Sequence, residues 1–243
     1  METILEAPDS ASPRALSDRG AHEAVLRLLQ DEALGKVLDA PAGEGHLAEE
    51  LARRGHDVTA IDLNTDQVRG RRAHYVAADL NGTLPFADGD FDLVACVESI
   101  EHLENPHNLV REFFRVLRPG GALIVTTPNV MSLESRLQNL FLGWPVHFAH
   151  WVHRTAEEDP LNFHINPVSY LELQKILRDS GFKVETIATN RLLRRRRLMM
   201  PLASLVRRAT TTWLSRRKIE GFREILSDEL LFGKLLIVKA RKP

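Results

Sequence analysis

A doubly wound α/β fold around a mostly parallel sheet is what this sequence predicts, and three observations predict it. Strand-like apolar runs alternate with helix-periodic runs from Lys36 to Phe182. Each of the first four strand runs ends on or just before an acid, and a glycine-bearing turn joins the first strand to the helix after it.

The elements follow in order. Met1 to about Gly20 is rich in Pro, Ser and Asp and predicts a loose arm, leaving one domain over residues 21–243. Ala24, Val25, Leu28 and Leu29 recur at helical spacing within Ala21 to Ala33. KVLDA (36–40) is a short buried strand, GHLAEELARRG (45–55) a helix closed by Gly55, and DVTAIDL (57–63) the next strand. HYVAADL (74–80) and FDLVACV (91–97) are two more strands. HNLVREFFRVLRPGG (107–121) is an amphipathic helix stopped at Pro119 and Gly120, and ALIVTTPN (122–129) a strand. PVSYLELQKILRDSGF (167–182) is a helix with Pro167 near its start and Gly181 at its end, before the strands KVETIAT (183–189) and KLLIVKA (234–240). Two stretches break the alternation, about 130–166 and about 190–231, and segments of that length are functional or carry helices of their own.

Composition narrows the function classes. A net charge of −1 gives no global reason to expect nucleic acid, and no apolar run reaches the ~20 residues of a spanning helix. The single cysteine, Cys96, sits in the apolar run LVACV and reads as a small core residue. With no internal disulfide possible and no apolar leader, the expected location is cytoplasmic.

Function is concentrated at strand ends. The first strand runs into Asp39-Ala40-Pro41-Ala42-Gly43-Glu44-Gly45, where glycines let the backbone approach a ligand. Seventeen residues after Gly45 stands Asp62, where such folds place an acid against a ribose diol, and seventeen further on stands Asp79. Glu98 ends the fourth strand, so four strands deliver Asp39, Asp62, Asp79 and Glu98 to one crevice. A dinucleotide dehydrogenase competes at this turn, although Ala48 stands at its third glycine.

VLDAPAGEG, DVTAIDL, AADLNGTLPFADGDFDLVACVESIEHLENP, FFRVLRPGGALIVTTPN and LRDSGF carry a resemblance over about Ala33 to Gly181. The chain resembles the class I S-adenosylmethionine (SAM) dependent methyltransferases, particularly the broad group with the ubiquinone-biosynthesis O-methyltransferases and methyltransferases of sugar and lipid pathways. RVLRPGG before a strand is characteristic of that superfamily and disfavours the dehydrogenase. The resemblance implies a Rossmann-like, seven-stranded, mostly parallel sheet with an antiparallel last strand, and SAM as cofactor. It places Asp39, Ala40, Gly43 and Gly45 at the methionine end, Asp62 and Leu63 at the ribose, Asp79 and Leu80 at the adenine, and Glu98 nearby. One departure is Pro41, where the family has glycine; proline lacks an N–H and fixes φ, so this residue donates nothing to the ligand.

Methyl transfer to a hydroxyl needs a base, and histidine is the commonest. The candidates are His102, just past the fourth strand, and His147 and His150 in the first insertion, with His153 and His164 beside them. Glu98-Ser99-Ile100-Glu101-His102 also resembles the metal motif of small-RNA 2′-O-methyltransferases, which add a histidine from a later segment. The same IEHL segment occurs in non-metal relatives, and the expectation is no metal. The 130–166 insertion, with Trp144, His147, Phe148, His150 and Trp151, is expected to cover the acceptor, a small or lipid-linked sugar or quinol type of molecule.

The second insertion is basic. Between Glu185 and Glu220 there is no acid, while Arg191, Arg194, Arg195, Arg196, Arg197, Arg207, Arg208, Arg216, Arg217 and Lys218 accumulate. Leu202, Leu205, Val206, Ala209 and Trp213 share a face of a helix expected to begin at Pro201. A basic amphipathic helix of this kind suits peripheral contact with an anionic membrane through residues 191–218. RNA is less expected, because Trp213 is the one aromatic in the stretch. The rival readings are a metal-dependent RNA methyltransferase and a SAM-binding regulator without turnover.

Overall fold

In a computed structural model, which describes residues 13–148, 164–217 and 223–243, seven strands form one sheet. They are β1 (Lys36–Asp39), β2 (Asp57–Asp62), β3 (His74–Ala77), β4 (Phe91–Val97), β5 (Leu117–Pro128), β6 (Lys183–Ala188) and β7 (Leu235–Arg241). Their order in space is β3-β2-β1-β4-β5-β7-β6. β1 to β5 run parallel, and β7 slots antiparallel between β5 and β6, as the resemblance implied.

Successive strand side chains alternate between the two faces of the sheet. Leu38, Ile61, Val94, Cys96, Leu123 and Val125 enter one core, against α3 (Pro106–Val116) and α5 (Tyr170–Asp179). Val37, Val58, Ala60, Leu93, Ala95 and Ile124 enter the other, against α1 (Ala21–Leu28) and α2 (His46–Arg53). Burial on both faces explains why the strands read as continuous apolar runs. Cys96 is fully buried, and burial pushes its thiol well above the usual range.

Local signals set the helix ends. Asn105 caps α3 by accepting from the Asn108 N–H, with Pro106 in the first turn, and Ser169 caps α5 by accepting from the Glu172 N–H. Two boundaries differ from expectation. α1 stops at Leu28 rather than Ala33, and Glu32 is held instead by Arg241 and Lys239 of β7. α3 stops at Val116, and the Arg118-Pro119-Gly120-Gly121 run already belongs to β5, with Arg118 paired to Asp92 at 2.5 Å. A Cβ on Gly121 would sit 2.9 Å from the Arg118 carbonyl oxygen, so that glycine serves a close backbone approach.

Both insertions carry helices. The first holds α4 (Leu133–Leu142), capped by Ser132. The second holds α6 (Arg196–Arg217), a 3₁₀ turn (Arg223–Leu226) and α7 (Asp228–Phe232). α6 begins five residues before Pro201, which lies inside it. Leu133, Ala203, Leu231 and Phe232 form a small separate core that anchors α6 to the body. Among the described residues no helix is long and apolar enough to cross a membrane.

Candidate active site

Because β3, β2, β1 and β4 are parallel neighbours, their C-terminal ends share one edge. Asp39 ends β1, Asp62 ends β2, Asp79 follows β3 by two residues, and Glu98 follows β4 directly. The predicted crevice is therefore present. Ala40 is fully buried and its N–H donates to Ala95, the Ala40–Pro41 peptide is cis, and the Ala42 N–H donates to Ile61. Gly43 (φ 54°) and Gly45 (φ 92°) then take left-handed conformations that glycine adopts without strain. The Gly43 N–H donates to the Asp62 carboxylate at 2.8 Å, which ties the turn to the β2 acid. A Cβ on Gly45 would stand 2.4 Å from the Tyr75 hydroxyl, so this position admits glycine alone.

The acids differ in environment. Asp39 is buried and its Oδ2 has no hydrogen-bond partner; burial, with the Asp62 charge adding, pushes its carboxyl up to about 8. Asp79 is exposed and accepts from the Asn81 N–H through Oδ1. Glu98 has a left-handed backbone (φ 47°), uncommon for a residue with a side chain, and burial pushes its carboxyl up to about 7. Its carboxylate accepts from the Asp18 N–H at 2.5 Å. Leu63 is exposed, whereas the Leu80 side chain belongs to the core.

SAM offers an ammonium, ribose hydroxyls and an adenine amino group, all donors, and a row of acceptor acids suits them. The unpartnered oxygen of Asp39 is the sharper test, since an unsatisfied buried polar group costs about 1–3 kcal/mol until a donor arrives. The residues present fit the cofactor.

Residues 13–20, read as part of a loose arm, lie across this turn. The Arg14 N–H and guanidinium both bond Glu44, Leu16 packs on Gly43, and Asp18 engages Glu98 through its N–H and Arg191 through its carboxylate. Arg191, assigned from the sequence to a membrane-facing run, is thus paired to the segment that lies across this turn. Nothing in the local pattern marked Arg14, Asp18 or Arg191 for this, because the pairs span 30 to 173 residues.

Beyond Glu98 the chain makes a short 3₁₀ turn (Ile100–His102). Glu101 is fully buried with neither carboxylate oxygen hydrogen-bonded, and burial, with Glu98 adding, pushes it up to about 8. The His102 ring meets the His164 ring edge-on at 4.7 Å between centroids. Ligand atoms of Glu101, His102 and His164 all lie within 4.8 Å of one another, a group able to hold a metal ion. This cluster joins His102 to the later histidine but leaves Glu98 out, since Glu98 is turned to Asp18. His147 (φ 71°) accepts from Lys234 through Nε2 at 3.2 Å, and its carbonyl contacts His164 Nδ1 at 3.0 Å. His150, Trp151 and His153 lie outside the described residues, and so does Lys218.

The comparisons agree with this geometry. The family model for a methyltransferase domain matches residues 14–187, well over half of the chain. A Mycolicibacterium smegmatis protein named "Probable S-adenosylmethionine-dependent methyltransferase" is 31% identical over 199 residues, 73% of this chain and 70% of that relative. The ubiquinone biosynthesis O-methyltransferase of Psychrobacter cryohalolentis is 38% identical over 105 residues, so the match spans only 41% of that relative. Among solved structures, a SAM dependent methyltransferase from Archaeoglobus fulgidus superposes with a TM-score of 0.58 at 21% identity, covering 92% of this chain and 96% of that one. The [4+2]-cyclase SpnF superposes at 0.55 with 23% identity, covering 91% and 79%. Likenesses at that identity establish the Rossmann-like fold, while the family match carries the chemistry. With the acids in place at the strand ends and the domain match across them, the chain belongs to the methyltransferase-domain family and is a SAM-dependent methyltransferase.

Proposed function

We propose that the chain methylates a hydroxyl on a small or lipid-linked acceptor of the sugar or quinol type, with His102 as the base. The observation that carries this reading is the imidazole pair His102 and His164 just past Glu98, at the edge where the cofactor acids converge. The partial match to ubiquinone biosynthesis O-methyltransferases supports oxygen as the acceptor atom. Bound SAM supplies a methyl group on a sulfonium, which leaves without protein assistance. The chain's own tasks are to hold the acceptor oxygen in line at about 3–3.5 Å and to take its proton. His102 receives that proton, and the new imidazolium favours ionisation of the adjoining Glu101. The Arg14, Asp18 and Arg191 contacts keep water from the turn.

The test is turnover with methyl-labelled SAM against separated lipid, RNA and small-molecule pools, followed by mass spectrometry to place the methyl. His102→Ala is expected to lower turnover by about 10²–10⁴ with SAM affinity unchanged. A second reading, metal-assisted methylation of RNA, is favoured by the Glu101, His102 and His164 convergence. Label confined to RNA would establish it in place of the first.

A further inference from the structure

We propose that α6 docks the protein on an anionic lipid bilayer, and that the cavity at its root opens to that surface. Residues turn by about 100° each along a helix, which puts Leu198, Leu202, Leu205, Ala209 and Trp213 within about 80° of arc. Leu198 is 80% exposed, Leu205 64% and Trp213 53%, so this stripe faces solvent. The helix is anchored through a different face: Ala203 is fully buried, and Met199 and Val206 pack with it on Leu133, Leu231 and Phe232. Val206 therefore leaves the apolar face read from the sequence and belongs to the anchor.

Charge completes the surface. On the side of the stripe away from the anchor stand Arg197 and Arg208, and Arg216 lies in line with it. Among the described residues none of these three has an ion pair, and α6 contains no acid. Two members of the run are committed elsewhere: Arg191 to Asp18, and Arg207 to Asp228 at 2.5 Å and the Leu226 carbonyl. The free arginines border apolar side chains, and that combination matches a lipid surface better than a nucleic acid, which would leave Leu198 and Leu205 in water.

The stripe leads inward. Leu198 also lines a cavity of about 540 Å³ with Leu137, Leu192, Leu193 and Met199, and Arg194, Arg195 and the acid Glu134 stand in its wall. Two further wall residues reach the active site: Arg191 grips Asp18 over Glu98, and Lys234 donates to His147 beside the His164 pair. An amphiphile with an acidic head group, entering from the bilayer, would meet leucines, with four cations against the single carboxylate of Glu134 in the same wall. This entry route deepens the methyl-transfer proposal, but docking is measured without turnover, so the two fail separately.

The experiment is flotation of the purified full chain with phosphatidylcholine vesicles, with and without phosphatidylglycerol. Binding is expected only with phosphatidylglycerol and is expected to weaken with salt. The Arg197→Gln/Arg208→Gln pair is expected to lose about thirtyfold, near fivefold per arginine. Trp213→Ala is expected to lose about tenfold through lost apolar burial. Each variant is checked for an unchanged melting temperature and unchanged SAM affinity, which shows that the fold and the cofactor site survive. Absence of binding to anionic vesicles at low salt overturns the proposal. So does vesicle binding that Trp213→Ala leaves untouched while bulk RNA displaces it, which would assign the arginines to nucleic acid.

Discussion

Replacing Asp39 with asparagine should stabilise the empty protein while destroying its use for SAM. The Asp39 carboxyl has an ordinary value of 3.8 and is pushed up to about 8 by burial. A group whose folded value is raised stabilises the fold fully below its unfolded value and loses that contribution as pH rises through the folded one. Asp39 therefore weakens the empty fold progressively between about pH 4 and pH 8. One proton is worth about 1.4 kcal/mol per pH unit, so the Asp39→Asn variant, whose amide never ionises, should gain on the parent at up to that slope. Glu98 and Glu101 are raised as well, but they are common to both proteins and cancel in the difference. The assay is urea unfolding of both proteins from pH 4.5 to 8.5 without ligand. Calorimetry at pH 7, where about nine parent molecules in ten hold the proton, should show close to one proton released as cationic SAM binds. A stability difference flat with pH, or SAM binding without proton release, would refute a neutral buried Asp39.

Asp62→Ala should weaken SAM binding at least tenfold by calorimetry, because the resemblance assigns its carboxylate to the ribose hydroxyls and its loss frees the Gly43 N–H; unchanged affinity would remove Asp62 from the site. Arg191→Gln should raise the SAM dissociation rate by up to about fivefold, the range of an exposed ion pair, as read by stopped-flow fluorescence. An unchanged rate would mean that residues 13–20 do not cover the cofactor. Exhaustive chelation should leave methyl transfer intact if His102 acts as a base; loss with chelator and return with a divalent ion would transfer the role to a metal on Glu101, His102 and His164.

The fold was legible because both sheet faces are covered. The buried strands announced themselves as apolar runs, and the ends of the first four announced themselves as acids. The gathering of Asp39, Asp62, Asp79 and Glu98 was legible for the same reason, since a parallel sheet converts sequence spacing into adjacency at one edge. RPGG misled because proline and glycine stop helices, yet here they lead into a strand whose edge needs Gly121 for backbone approach. The histidine pair beside these acids was only partly legible. His102 stands next to a strand end, but its neighbour His164 comes from sixty-two residues away, and no local period links them.

The basic run shows the same limit from the opposite direction. A sequence displays ten cations between two acids and gives them one collective meaning. Folding divides them by distance. Arg191 finds Asp18, 173 residues away, and ties down the segment across the β1 turn, while Arg207 finds Asp228, 21 residues away, and pins α6 to the segment after it. Arg197 and Arg208 find no acid among the described residues. Charge left uncompensated beside Leu198, Leu205 and Trp213 is a stronger indication of an external partner than the whole run was. With the pairs already made inside the protein taken out of the count, Arg197 and Arg208 stand together on one side of α6.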